Sequence, residues 1–137
     1  MVKIKICGVT RVEDAVLAAE EGADAIGLNF VDGYPRCITT KVAREIAACL
    51  PPYLTLVGIF ADRNLSEIRE TIQICGLNVV QLHGDESPDD CLALASNKEW
   101  PLQVIKAFRV RGYETLMRIP EYCRSQGVTP LLDAYHP

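Results

Sequence analysis

The sequence is short of several features that define common functional classes. It has two histidines and no C-x-x-C pair among its six cysteines, so the spacing gives no zinc site. Basic residues number 14 against 18 acidic ones, and this balance does not indicate a nucleic-acid-binding protein, which typically has an excess of positive charge. No apolar run is long enough to cross a bilayer, and no signal or transit pattern opens the chain. We therefore expect a soluble cytoplasmic protein with no nucleic-acid or membrane partner.

The composition that is present is ordinary for one globular domain. Of the 137 residues, 49% are hydrophobic and 23% are charged, which is enough for a real core. Four cysteines lie in apolar helical patterns and are predicted to be buried small hydrophobes: Cys49, Cys75, Cys91 and Cys123. Cys7 differs from these because it ends a predicted strand and is followed by Gly8.

Strand and helix patterns alternate along the whole chain. The first of six predicted strands ends at Cys7, and the others cover 25–30, 55–60, 79–83, 102–108 and 129–133. Of the five predicted helices, the first is capped by Thr10 and ended by Gly22, and the others cover 41–50, 65–75, 88–97 and 113–125. This order gives a parallel sheet, either doubly wound or closed into a barrel.

Polar residues on the strands favour the barrel. Four predicted strands carry polar groups that alternation assigns to an inner face, mostly near their carboxyl ends: Lys5, Cys7, Gln81, His83, Lys106 and Asp133. Catalytic groups contributed by several strands to one rim are typical of a (β/α)8 TIM barrel. The absence of a G-x-G-x-x-G motif also counts against a dinucleotide-binding sheet. Because such a barrel has eight strands, residues 1–137 are expected to form a single incomplete barrel domain, with strands seven and eight deleted, disordered or supplied elsewhere.

Several short stretches carry a more specific signal. They occur in this order along the chain: Lys5-Ile6-Cys7-Gly8-Val9-Thr10, Pro35-Arg36, Gln81-Leu82-His83-Gly84-Asp85-Glu86, Val104-Ile105-Lys106-Ala107 and Leu131-Leu132-Asp133-Ala134. With them the sequence resembles the phosphoribosylanthranilate isomerases, β/α-barrel enzymes of tryptophan biosynthesis. Tyr34 stands where that family usually has Ser. The family's glycine-rich phosphate loops, which follow strands seven and eight, have no counterpart in this sequence.

The resemblance implies an Amadori rearrangement of N-(5-phosphoribosyl)anthranilate to 1-(2-carboxyphenylamino)-1-deoxyribulose 5-phosphate. An acid protonates the ring oxygen of this phosphorylated aminosugar, and a base then removes the C2 proton. The reaction involves no net redox change, so no cofactor or metal is expected. The assembly is expected to be a monomer or a homodimer.

The same resemblance assigns the roles of acid and base. Cys7 is expected to be the general base, acting as a thiolate that the Lys5 ammonium could favour; the alternative is an inert buried thiol. Asp133 is expected to be the general acid, and its alternative role is a helix N-cap.

Binding roles follow in the same way. Arg36 is expected to grip the anthranilate carboxylate with its guanidinium fork, although a surface arginine is the alternative. His83, Lys5 and Gln81 are expected to contact substrate, while a satisfied core histidine is the other interpretation of His83. Lys5 and Lys106 could supply a positive field or pair with acids inside the barrel.

Two other functions stay open at this point. Another phosphate-binding barrel enzyme, such as an indole-glycerol-phosphate synthase, would need a catalytic Lys and Glu in place of Cys7 and Asp133. A non-catalytic barrel fragment would instead pair its open strand edges with a partner segment.

Overall fold

The computed structural model describes residues 1–97, 102–124 and 127–134. Six strands and five helices alternate within these ranges. The strands are β1 (Lys5–Cys7), β2 (Ala25–Asn29), β3 (Thr55–Phe60), β4 (Val79–Leu82), β5 (Gln103–Val110) and β6 (Val128–Ala134). The helices are α1 (Val12–Glu20), α2 (Thr40–Ala48), α3 (Leu65–Cys75), α4 (Pro88–Ala95) and α5 (Tyr113–Tyr122). The predicted end of the last helix at Ser125 lies outside the described residues.

The six strands form one parallel sheet in the order of the sequence, β1-β2-β3-β4-β5-β6. A doubly wound sheet reverses its strand order at a switch point, and this sheet does not. The strands curve into a half-barrel covered by the five helices, which confirms the predicted class. β1 and β6 are therefore the two edges of the described sheet.

The hydrophobic core lies between the convex side of the sheet and the helices. Alternate strand residues point into this layer and are almost completely buried, among them Ile26, Leu28, Phe60, Val80 and Val104. They pack against the apolar sides of the helices, including the fully buried Ala43, Ile46, Ile68 and Leu94. The remaining strand residues face the concave side, and that side can hold polar groups.

Lys106 departs from the predicted inner position. It alternates with Val104 and Phe108, both of which belong to the core layer, and it is only 3% exposed. Its ammonium is paired there with the Glu86 carboxylate, 3.1 Å away, and lies 5.8 Å from the Phe108 ring centroid. The inner-face prediction for Lys106 is therefore wrong, since the side chain faces the helices.

Helix ends mostly follow the local sequence signals. The Thr39 hydroxyl caps α2 by accepting from Val42 N–H, and Ser87 and Asp90 form a reciprocal capping box at α4. The predicted cap at Thr10 is wrong. The residue preceding α1 is Arg11, which makes no side-chain cap hydrogen bond, so this helix begins one residue later than the capping-box pattern indicates.

The four cysteines predicted to be buried divide into two pairs. Cys75 and Cys91 are buried, and burial raises the pKa of Cys91 to about 11, so it stays a neutral thiol. Cys49 and Cys123 are exposed, and the prediction is wrong for both. Each is the residue just after the last turn of its helix, where the chain leaves the packed face.

No helix among the described residues is both long enough and apolar enough to cross a membrane.

Candidate active site

Cys7 ends β1 on the concave side of the half-barrel and is exposed. The chain turns immediately after it at Gly8, whose φ of +74° favours glycine. The Gly8 and Val9 N–H groups both donate to the Gly27 carbonyl, at 2.9 and 3.2 Å. These bonds hold the end of β1 against β2, and they place the thiol at the carboxyl edge of the sheet, where barrel enzymes build their sites.

Arg36 lies directly beside Cys7. It follows β2 in a loop that returns to the sheet through a bridge between Asn29 and Cys37. Arg36 Nη1 donates to the Cys7 carbonyl oxygen at 3.3 Å, and the guanidinium covers Gly8 so closely that a β-carbon at Gly8 would lie 2.9 Å from its Cζ. The guanidinium remains exposed and can accept an anion from solvent.

A cavity of about 190 Å³ opens at this edge of the sheet. The polar side chains around it come from four strands or the loops that follow them: Cys7, Asn29, Tyr34, Arg36, Gln81, His83 and Arg109. A wider space of about 730 Å³ adjoins it, with Tyr34, His83 and Arg109 lining both. Tyr34, which replaces the serine usual in the resembling family, therefore stands at the junction of the two spaces.

Lys5, Gln81 and His83 form a chain of hydrogen bonds across the concave face. Lys5 Nζ donates to Gln81 Oε1, and Gln81 Nε2 bonds to His83 Nε2. Gln81 is buried at 2% exposure, so these contacts satisfy an amide that water cannot reach. Burial lowers the pKa of Lys5, while the nearby Cys7 acts in the opposite direction, which places the ammonium within electrostatic reach of the thiol.

His83 is half-buried and favours its neutral form. Burial is the main cause of its lowered pKa. The Asp133 carboxylate opposes this shift, and the cations Lys5, Arg109 and Lys106 add to it. The imidazole is therefore poised as a neutral hydrogen-bonding group rather than as a cation.

Asp133 lies on β6, at the far edge of the sheet from Cys7. Its cross-strand partner is Arg109, and the alternation of β6 puts both on the concave side with Leu131 and Ala107. Asp133 is half-buried and acts on His83 through its charge. No hydrogen bond or ion pair among the described residues joins Asp133 to Cys7. Cys7, Arg36, Gln81 and His83 thus share one cavity, and Asp133 stands on the same face without lining it.

Arg109 is a site residue that sequence reasoning missed. The predicted fifth strand ends at Phe108, whereas β5 continues to Val110. The predicted inner position of Lys106 would also have put Arg109, three residues further on, on the helix side. Its exposed guanidinium lines both spaces and gives the site a second cation at the rim.

A buried network fixes the loops around the site. Glu86 Oε1 accepts from Asp62 N–H at 2.9 Å, and Glu86 Oε2 accepts from Lys106 Nζ. Lys106 also donates to the Gly84 carbonyl at 2.6 Å, and the Tyr122 hydroxyl donates to the Glu86 carbonyl at 3.1 Å. The network joins the loops after β3 and β4 to β5 and α5, and so it supports the loop that begins at His83.

The arrangement suits proton transfer on a small anionic molecule. A positioned cysteine can remove or add a proton in general acid–base catalysis. Arg36 and Arg109 offer guanidinium groups to carboxylate or phosphate oxygens. Residues 4–136 match the family model of N-(5'-phosphoribosyl)anthranilate (PRA) isomerase.

Individual relatives agree with that match. The chain is 46% identical over 137 residues to the N-(5'-phosphoribosyl)anthranilate isomerase of Geobacter sp. (strain M21), covering all of this chain and 63% of the relative. The phosphoribosyl anthranilate isomerase of Thermotoga maritima superposes with a TM-score of 0.91 at 36% identity, covering 100% of this chain and 63% of that one.

A further solved phosphoribosyl anthranilate isomerase is a complex with reduced 1-(o-carboxyphenylamino)-1-deoxyribulose 5-phosphate. It has a TM-score of 0.90 at 36% identity, with 98% of this chain and 66% of that chain covered. This chain spans less than two thirds of the length of the curated relatives it matches.

Proposed function

We propose that this chain, which belongs to the N-(5'-phosphoribosyl)anthranilate isomerase family, carries the acid and base groups of that isomerisation in tryptophan biosynthesis. The substrate would be N-(5-phosphoribosyl)anthranilate and the product 1-(2-carboxyphenylamino)-1-deoxyribulose 5-phosphate. The observation that carries the proposal is the accessible Cys7 thiol beside Arg36, in a cavity at the carboxyl edge of the half-barrel.

Asp133 is the proposed general acid. It protonates the ring oxygen of the aminosugar, the ring opens, and an iminium forms at C1. Its position on β6 puts it across the concave face from Cys7 on β1, so the substrate would lie over that face, between the two residues. The carboxyl must be protonated when it acts.

Cys7 is the proposed general base. Its thiolate removes the C2 proton of the iminium, and the resulting enolamine becomes the ketone product. Lys5 lies within electrostatic reach of the sulfur. The positions of Asp133 and Cys7 on opposite edges of the sheet suit a reaction in which the ring oxygen gains a proton and C2 then loses one.

Arg36 is the proposed partner of the anthranilate carboxylate. Its guanidinium is exposed beside Cys7, so a carboxylate bound there would bring the aminosugar close to the thiol. Gln81 and His83, which line the cavity, and Lys5, which bonds to Gln81, are the proposed polar contacts of the substrate.

Residues 1–137 are proposed to be part of a single barrel domain that needs strands seven and eight and their phosphate loops. Two observations support this: Ile6 at the β1 edge is 41% exposed, and Leu132 at the β6 edge is 59% exposed. Further strands pairing with β1 and β6 would cover both and end the open edges. The completed protein is proposed to be a cytoplasmic monomer or homodimer.

The test compares this chain with a fusion that adds the strand-seven and strand-eight segment of the Geobacter relative. The decrease in substrate fluorescence reports isomerisation. The fusion is expected to be active, and the 137 residues alone are expected to show little turnover, since no described part of the chain forms a glycine-rich loop that could cradle the phosphate.

Cys7→Ala and Asp133→Ala in the active fusion should each abolish turnover, while Cys49→Ala, a change at an exposed cysteine on the helical side, should not. Normal turnover in either of the first two variants would remove that residue's role. Activity of the unextended chain at the level of the fusion would overturn the proposed need for further strands.

A further inference from the structure

The chain of hydrogen bonds from Lys5 through Gln81 to His83 crosses the concave face between two strands that are not neighbours. Lys5 lies on β1, and Gln81 lies on β4, with β2 and β3 between them. Within this hydrogen-bonded series, the Gln81 amide is buried, and the ionisable groups of Lys5 and His83 are half-buried. Its direction can be worked out from the donors and acceptors alone.

An ammonium has hydrogens to donate and no lone pair to accept with. Lys5 must therefore face the oxygen of the Gln81 amide, and the Gln81 nitrogen must face His83. An amide nitrogen also only donates. His83 Nε2 is consequently the acceptor, and in a neutral ring the single proton resides on Nδ1.

We propose that Lys5 and Gln81 are positioning residues that hold His83 as the neutral tautomer with its proton on Nδ1. The ring then offers one N–H donor on the side not engaged by Gln81, and the ligand group that fits it is an acceptor oxygen. This inference rests on the proposed function only for the identity of that oxygen, a hydroxyl, ring or carbonyl oxygen of the aminosugar. The tautomer itself is a property of the protein alone.

The surroundings of His83 agree with a neutral ring. Asp133 is the one described carboxylate that raises its pKa, and Lys5, Arg109 and Lys106 act against protonation together with burial. Cys7 lines the same cavity and, as a thiolate, would favour the cation. Gln81 opposes that effect, because a protonated Nε2 would point its hydrogen at the Gln81 amide nitrogen, which donates and does not accept.

The test is nitrogen NMR of the 137-residue chain with labelled histidine, in which the shifts of the two ring nitrogens report which one carries the proton. The sequence has only His83 and His136, so a His136→Gln variant assigns the signals. Near pH 7, His83 is expected to show a protonated Nδ1 and a bare Nε2. A protonated Nε2 or an imidazolium at this pH would overturn the proposal.

Three variants test whether Lys5 and Gln81 determine the tautomer of His83. Lys5→Met frees the Gln81 amide to rotate, and Gln81→Met removes the donor, so both should give a mixture of tautomers. Gln81→Glu places a carboxylate oxygen against Nε2, which should protonate it and raise the His83 pKa by about one unit or more. Lys3→Met is the matched control, because Lys3 is exposed and pairs with Asp24, and it should change nothing.

Each result bears on one conclusion. A single Nδ1–H tautomer that survives both methionine substitutions would show that Lys5 and Gln81 do not position the ring. If a variant fails to fold, the tautomer of the unaltered chain still decides whether the hydrogen-bond direction is right. Loss of the proposed isomerase role, through an active Cys7→Ala fusion, would leave these spectra unchanged.

Discussion

Gly27 and Cys7 pair across β1 and β2, and a β-carbon at Gly27 would lie only 2.9 Å from the Cys7 sulfur. A real β-carbon essentially never comes so close to a heavy atom. Position 27 therefore leaves room for the thiol by having no side chain. The location of the sulfur is determined by the neighbouring strand as much as by Cys7 itself.

Gly27→Ala is expected to displace the thiol and lower the turnover of the barrel-completed fusion by at least about tenfold, because small displacements of a reacting group cost large factors in rate. The measurement is the substrate fluorescence assay, with circular dichroism to check folding. Gly112→Ala is the matched control, since nothing lies within 4 Å of its β-carbon position and its backbone is extended. Equal turnover in the two variants would argue that the Gly27 contact has no bearing on catalysis.

Arg36→Ala is expected to raise the Michaelis constant by about 10- to 100-fold, the loss of a charge-assisted pair with the substrate carboxylate. The turnover number should change much less, since the carboxylate does not react. Arg36→Lys keeps the charge but not the planar fork, and an intermediate Michaelis constant is expected for it. An unaltered constant in Arg36→Ala would count against carboxylate binding at this residue.

Lys106→Met should destabilise the fold by about 3–5 kcal/mol, because it leaves the buried Glu86 carboxylate without its cation. Both side chains are at most 4% exposed. Urea unfolding followed by circular dichroism measures the loss. The control is Lys3→Met, which breaks an exposed pair with Asp24 and should cost no more than about 1 kcal/mol. Similar losses in the two variants would show that the Lys106 pair is no more than a surface interaction.

Stability should fall in acid partly through His83. Its pKa in the fold is lower than the ordinary 6.5, so between the two values the unfolded chain binds more protons than the folded one. Protonation of His83 therefore does not affect the free energy of unfolding above about pH 6.5. It lowers that free energy as the pH falls toward the pKa of His83 in the folded state. A His83→Gln variant should lose less stability than the unaltered chain over pH 7 to 5, with urea unfolding at each pH as the measurement. Parallel stability curves for the two proteins would contradict this contribution.

Much of the fold was predictable because its signals are local. Gly76 after α3, Ser87 and Pro88 at the start of α4, and the β-branched run of β3 all depend on residues a few positions apart. The alternation within β1 and β4 likewise put Cys7 and His83 on the concave side, where the structure has them.

β5 shows where that reasoning stops. Both faces of Val104-Ile105-Lys106-Ala107-Phe108 are apolar apart from the lysine, so alternation alone could not tell which face meets the helices. The register between Leu82 and Lys106 decides it, because Leu82 is fully buried in the core layer. The same ambiguity concealed Arg109, which lies on the opposite face of this strand.

Local sequence patterns account for the alternation of strands and helices, the parallel sheet, and the position of Cys7 at a strand end, since each follows from periodicity and turn residues within one segment. Tertiary structure alone decided that Lys106 is buried against Glu86, that Gly27 makes room for the thiol, and that Lys5 reaches Gln81. Lys5 and Gln81 are 76 positions apart, and such pairs come together only when the sheet curves. Local propensities do not encode that curvature, because it depends on the packing of all six strands against their helices.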